Sequence, residues 1–138
     1  MLVFSFCFPV HLGPDLKEKM YPLLDPGNPL LQQSFEFALE IIAYCGQLKL
    51  LRHYEMSNQL FKSGTSIHAQ IREAQHPESS ADFVHKLKVG AKEASESEGW
   101  LLLCKYAPGF PDPSHLLMRL LPIQRMLTSS IATAKQKK

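Results

Sequence analysis

The stretch from Lys62 to Ala74, Lys-Ser-Gly-Thr-Ser-Ile-His-Ala-Gln-Ile-Arg-Glu-Ala, sets Ser63, Gly64, Thr65 and Ser66 side by side inside a segment with helical period. Leu60, Gly64, Ile67, Ile71 and Ala74 recur at alternating spacings of four and three, which is one face of an α-helix. Glycine in a helix interior costs about 1 kcal/mol relative to alanine. The compensation this pattern predicts is a second helix lying unusually close, because glycine lets another backbone or side chain approach where a Cβ would stand. Ser63, Gly64, Thr65, Ser66 and Ile67 are therefore expected to form a tight helix–helix contact and not a catalytic loop.

The rest of the chain supplies the partners. Asn28-Pro29 is a helix start, with Asn as N-cap and Pro at the first helical position. The helix it opens is expected to run to about His53. It carries two adjacent apolar seams: Leu31, Phe35, Ala38, Ile42 and Cys45, and beside them Leu30, Phe37, Ile41, Tyr44, Leu48 and Leu51. A helix facing a single core needs one such stripe. The second seam predicts a subunit interface at Phe37, Ile41, Tyr44 and Leu48, with a wide face buried inside the monomer as the competing reading.

Helix two spans Tyr54 or Glu55 to about Gln75, and Pro77 ends it by disfavouring helix at His76. Ser79 or Ser80 caps helix three, with Ser79 and Asp82 a variant of the capping box. Helix three runs to about Lys105 with Phe83, Leu87, Gly90, Ala94, Leu101 and Cys104 inward. The run Ala107-Pro108-Gly109-Phe110-Pro111-Asp112-Pro113 breaks the chain. Ser114 is expected to cap helix four, whose inward row is Leu116, Leu120, Ile123, Leu127 and Ile131. Pro122 lies inside it and predicts a kink or a restart, because its ring crowds the preceding turn and it has no N–H. No segment alternates with period two between turn signals, so strands are not expected. The predicted fold is all-α, an antiparallel up-down four-helix bundle over 28–134. An irregular extension over 1–27 precedes it, broken by Pro9, Gly13, Pro14, Pro22, Pro26 and Gly27, and a basic tail at 135–138 follows.

Bulk properties narrow the classes. One domain is expected from 138 residues, of which 45% are hydrophobic and 20% charged. Met1 to Val10 is apolar but lacks a basic flank, is interrupted by Pro9 and is far too short to span a bilayer. Cys7, Cys45 and Cys104 are widely spaced with no C-x-x-C, which argues against a disulfide framework or a zinc site and fits a reducing cytoplasm. A net charge of +2 is too small to argue for nucleic acid. Its distribution says more: from Ser114 onward Arg119, Arg125, Lys135, Lys137 and Lys138 occur without an acidic residue.

At the level of motifs the chain resembles a bacterial family. Asn28-Pro29-Leu30, Ser34-Phe35-Glu36-Phe37-Ala38, the Lys62–Ala74 stretch, Ala81-Asp82-Phe83 with His85-Lys86-Leu87, and Lys92-Glu93-Ala94 followed by Glu96, Glu98 and Trp100-Leu101 resemble the four-helix-bundle proteins encoded in intervening sequences of 23S ribosomal RNA genes. The accessory protein of diversity-generating retroelements is a more distant likeness. The resemblance covers about Asn28 to Ala134. It implies an up-down bundle, a ring-like homopentamer and a link to nucleic acid, and it carries no catalytic residue. The chain departs from the family at His68, where a glycine is usual, at Arg72, where a small or apolar residue is usual, and at Pro122. A histidine at a tight crossing must either push the helices apart or point to an edge.

Glu73 with His76, and Asp82 with His85, have the E-x-x-H spacing used by carboxylate-bridged di-metal bundles, with Glu36, Glu40, Glu93 and Glu96 as nominal partners. Both motifs fall at one inter-helix loop and not deep in a core, so no metal or other cofactor is expected. Ser63, Thr65 and Ser66 have no activating base at a recognisable spacing, and Gly64 and Gly90 stand in no phosphate-loop pattern. Trp100 is expected in the core or a subunit interface. The sequence reading is a non-enzymatic, cytoplasmic, oligomeric binding or scaffold protein. Its nucleic-acid-binding candidates are Lys62, Arg72, Arg119, Arg125, Lys135, Lys137 and Lys138. A protein–protein scaffold without nucleic-acid affinity is the alternative, and a di-metal bundle a distant third.

Overall fold

The computed structural model describes residues 14–15 and 27–137. Most of the expected extension, with Cys7, lies outside the described residues, as does Lys138; Pro14 and Asp15 are helical and exposed. Four long helices follow: α1 (Pro29–Leu50), α2 (Tyr54–Glu73), α3 (Ser80–Tyr106) and α4 (Ser114–Gln136). Each packs on its chain neighbour, and α4 closes the ring against α1.

Side-chain pairings fix the register and show that every neighbour is antiparallel. Asn28 meets Gln75 and Ser57 meets Cys45 between α1 and α2. Lys86 meets Glu73 and Ser97 meets Ser63 between α2 and α3. Gln124 meets Glu98 between α3 and α4. Arg119 meets Glu36 and Tyr44 reaches Pro111 across α4 and α1.

The helix ends follow local chemistry. Asn28 Oδ1 accepts the Leu31 N–H at 3.0 Å, as an N-cap should. α1 stops at Leu50, three residues earlier than expected. Arg52 adopts a left-handed φ of 65°, the His53 N–H reaches back to the Leu48 carbonyl at 2.8 Å, and the Arg52 N–H reaches Lys49 at 3.0 Å. That is the Schellman ending, made here with arginine where glycine is usual. At α3, Ser79 Oγ accepts the Asp82 N–H at 3.0 Å, while Asp82 Oδ2 accepts from the N–H of Glu78 and not of Ser79. Ser114 does not cap α4. It is the first helical residue, Pro113 is the cap position, and the Ser114 hydroxyl donates to Asp112 at 2.6 Å. α4 runs through Pro122 as a single helix, so there is no restart. Pro122 is exposed, which leaves the carbonyl its missing N–H would have met on the watered side of the helix.

The core is one cluster. Leu60, Ile67, Ile71 and Ala74 of α2 are fully buried, with Phe37, Ile41, Tyr44 and Leu48 of α1, Leu87, Ala94 and Leu101 of α3, and Leu116, Leu120, Ile123 and Leu127 of α4. Phe37, Ile41, Tyr44 and Leu48 of the second seam are therefore interior and are not a subunit interface: none has surface left to offer, while Leu51 at the end of that seam lies past α1 and is 50% exposed. The monomer needs a broad stripe on α1 because that helix is wedged between α2 and α4. Ile42 of the first seam is the residue left outside, 46% exposed.

The predicted close crossing is present. A Cβ built on Gly64 would lie 2.8 Å from Ile41 Cγ2 and 2.9 Å from Cγ1, so α1 inserts a branched side chain into the space glycine leaves. Ser63 is buried and accepts from the Ser97 hydroxyl at 2.9 Å. Thr65 and Ser66 stand to the side of this contact, their hydroxyls donating to the Phe61 and Lys62 carbonyls of their own helix. Cys45 and Cys104 are buried thiols, and burial pushes Cys45 up to about 11.

The two ends of the bundle are closed differently. At the α1–α2 turn, the 107–113 loop folds back over the helices. Phe110 stacks on His53 at 4.1 Å, the His53 Nε2 lies 2.9 Å from the Gly109 carbonyl, and the Tyr44 hydroxyl donates to the Pro111 carbonyl at 2.7 Å. At the other end, no such plug covers the start of α3 and the end of α4 among the described residues.

Candidate nucleic-acid interface

The side chains facing each other across the first turns of α3 and the last turns of α4 are short: Ser80, Ala81, Ser129, Ser130, Thr133 and Ala134. Small side chains on both helices leave a groove of about 910 Å³. Its walls carry Lys88 and His85 from α3 and Lys135 and Lys137 from the end of α4, and no carboxylate is among its described lining residues. Phe83, Val84, Pro77 and the two alanines supply apolar surface. Phe83 belongs to the inward row of α3 but is only partly buried, because it sits where the core runs out.

Of the cations nominated from sequence, the structure brings Lys135 and Lys137 together and adds Lys88 and His85, which sequence reasoning missed. Their signal was available: both lie within three turns of a helix start that must face the end of α4 in an up-down bundle. The other candidates are scattered. Arg119 is committed to the protein itself, its guanidinium 3.2 Å from Glu36 and 3.0 Å from Glu40, whose carboxylate is buried. Its role is to neutralise a buried charge between α1 and α4. Lys62 stands near Glu93, whose carboxyl is held above its usual range by burial and then by Glu96, with Lys62 opposing. Arg125 is exposed on α4, away from the groove.

Arg72 lines a second depression with Glu73, His76, Glu78, Asp82 and Lys86, where charges of both signs mix and Lys86 bonds Glu73 at 2.7 Å. The E-x-x-H residues are thus engaged in a loop network. Among the described residues no three metal-ligating side chains converge. Glu96 accepts from the Trp100 indole at 3.2 Å, and Trp100 packs partly buried against the core.

His68 resolves to the second of its two options and points to an edge. Its Nδ1 lies 3.0 Å from Ser34 Oγ and its ring meets Phe35 edge-on at 5.3 Å, half-buried on the flank of the α1–α2 crossing. Burial, and then the charge of Arg72, hold its pKa below the ordinary histidine value.

The architecture agrees with what the chain is similar to. The model of the 23S rRNA-intervening sequence protein family matches residues 28–129. The chain belongs to this family. A crystal structure from Bacteroides thetaiotaomicron VPI-5482, of a protein with unknown function from the S23 ribosomal protein family, is 35% identical, with a TM-score of 0.71. The match covers 74% of this chain and 97% of that one. The comparison with curated proteins gives no match. The family match ends at Ser129, so the α4 half of the groove from Ser130 through Lys137 lies beyond it. No described helix is long and apolar enough to cross a membrane.

Proposed function

We propose that this chain is a non-catalytic, oligomeric binding protein that holds nucleic acid by its phosphate backbone at the α3–α4 groove. The observation that carries this reading is the grouping of Lys88, Lys135 and Lys137 with His85 in one groove with no carboxylate among its described lining residues. Cations so placed release counterions when phosphates replace them, which gives sequence-independent, salt-sensitive binding. Hydroxyls of Ser80, Ser129, Ser130 and Thr133 in the same walls suit phosphate and sugar oxygens. A non-catalytic role is supported by the hydroxyls themselves: that of Ser63 is buried against Ser97, and those of Thr65 and Ser66 bond their own helix.

Titration of labelled RNA across a salt series tests the reading. Replacing Lys88, Lys135 and Lys137 together by Gln is expected to weaken binding and reduce the slope of log K against log salt by about 0.7 per lysine on single strands. An unchanged affinity would end it.

Self-assembly rests on a separate observation. Helix periodicity and the α1–α2 register put Ile42, Phe61 and Tyr54 on the same outer flank, and Leu50 is exposed near the turn at its end. All four are exposed, Leu50 by 69%. Burying that flank between copies would repeat the groove around a ring, the homopentamer that the resemblance implies, and repetition raises avidity without new contacts. Ile42→Lys is expected to lower the sedimentation mass while leaving helix content intact. A single-chain mass for the unaltered protein at micromolar concentration would remove the oligomer. If it assembles but ignores RNA, the protein–protein scaffold is the better account.

A further inference from the structure

We infer that the α3–α4 groove selects single-stranded over duplex nucleic acid, with Phe83 as the surface on which an unpaired base lies. The inference rests on the nucleic-acid reading above and deepens it. A purely electrostatic duplex-binding surface needs cations spread over a face, because the phosphates of a duplex are on its outside and its bases are stacked away. This site is arranged otherwise. Lys88, Lys135 and Lys137 share one groove with the apolar side chains Phe83, Val84, Pro77 and Ala81.

Apolar surface beside lysines gives nothing to a duplex backbone and costs it hydration. It favours a strand whose bases are free, since a base brings a flat apolar face and its own phosphate on one short tether. The dimensions agree. About 910 Å³ falls in the range of clefts that take a molecule-sized group, as one or two nucleotides are.

The packing explains why Phe83 is available. It stands in the inward row of α3, one turn before fully buried Leu87. Opposite it, the last turns of α4 offer Ser130, Thr133 and Ala134, which are too small to cover a phenyl ring. The same ring one turn further into the bundle would be core. Charge complementarity decides the occupant: with lysines from both helices and no carboxylate among the described lining residues, an acidic strand is accommodated and a basic one repelled.

The test uses the whole protein and a labelled oligo-pyrimidine RNA of about a dozen nucleotides, alone and annealed to its complement, with poly-glutamate as competitor. The expected result is at least about tenfold tighter binding of the single strand. Phe83→Leu, which keeps apolar bulk but removes the π-face, is expected to weaken single-strand binding at least about fivefold while the salt slope stays unchanged. Its melting curve shows whether the fold is retained. The triple lysine-to-Gln variant is expected to do the reverse and flatten the slope.

Equal affinity for duplex and single strand, or a folded Phe83→Leu protein with undiminished binding, overturns this inference and leaves the nucleic-acid reading in place. Absence of binding to either RNA form overturns both. Poly-glutamate displacing the strand at equal charge concentration assigns the groove to an acidic polypeptide and overturns the inference as well.

Discussion

The α1–α2 crossing and the α3–α4 opening are built from the same kind of residue and come out opposite. At the crossing, Gly64 makes room and Ile41 of α1 fills it, so small residues bring two helices into contact. At the opening, Ser80 and Ala81 face Ser129, Ser130, Thr133 and Ala134, and a groove that Phe83 and Val84 also line is left between them. A small side chain is permissive only. It produces packing where a complementary large one stands opposite, deep enough for both to leave water, and a groove where it meets another small one at the end of a bundle. Gly90 is an intermediate case: a Cβ there would lie 3.6 Å from Gln70 Cβ and 3.7 Å from Leu127 Cδ2, ordinary contact distances.

The largest effect that would break this contrast is at Gly64. Gly64→Leu has to displace Ile41, a fully buried residue with no rotamer space beside it, and is expected to destabilise by about 3 kcal/mol, the upper part of the range for overpacking. Chemical denaturation measures it, and an unchanged midpoint would mean that the crossing is looser than its geometry.

Gly90→Ala is expected to have the opposite sign. The new methyl fits, and the helix gains up to about 1 kcal/mol from the lost freedom of glycine in the unfolded chain. A drop in the melting temperature would show that α3 packs closer to α2 than the 3.6 Å contact allows.

A smaller effect comes from His68 on the flank of the crossing. Its folded pKa lies below the ordinary value, so between the unfolded value, about 6.5, and the lower folded one the unfolded chain binds more protons. Stability is then complete above that window and falls as pH drops through it. His68→Gln is expected to flatten this part of a melting-temperature profile. A mutant profile that parallels the wild type would assign the acid loss elsewhere.

The smallest expected effect on stability is in the groove. Ala134→Leu adds bulk where there is open space, so stability is expected to stay within about 0.5 kcal/mol while RNA affinity falls. Equal affinity with the groove filled would separate binding from this site.

Much of the architecture is legible from residues alone because it depends on local rules. Asn28-Pro29 starts a helix by satisfying an orphan N–H and fixing φ. The 107–113 run with its three prolines stops one. Leu60, Gly64, Ile67, Ile71 and Ala74 mark a face by spacing, and all five are buried. The glycine among them announced the crossing, though not that Ile41 would be its filler. The end of α1 was not legible, because the residue that turns left-handed is Arg52, and nothing about an arginine signals that conformation.

What periodicity could not decide was which neighbour each face would meet. The second seam of α1 looks the same in sequence whether it is covered by another subunit or by α4. Only the closing of the ring, with Arg119 of α4 reaching Glu36 and Glu40, makes Phe37, Ile41, Tyr44 and Leu48 interior. The basic residues behaved likewise. As a list they were a sum of charges, and the tertiary structure divided them into Arg119, bound to a buried carboxylate, and Lys88, Lys135 and Lys137, held around one groove. Local structure follows from bonds between residues a few positions apart, which the order of the chain contains. Partnership across α1 and α4, or between the start of α3 and the end of α4, is a property of distances that exist only once the four helices have packed.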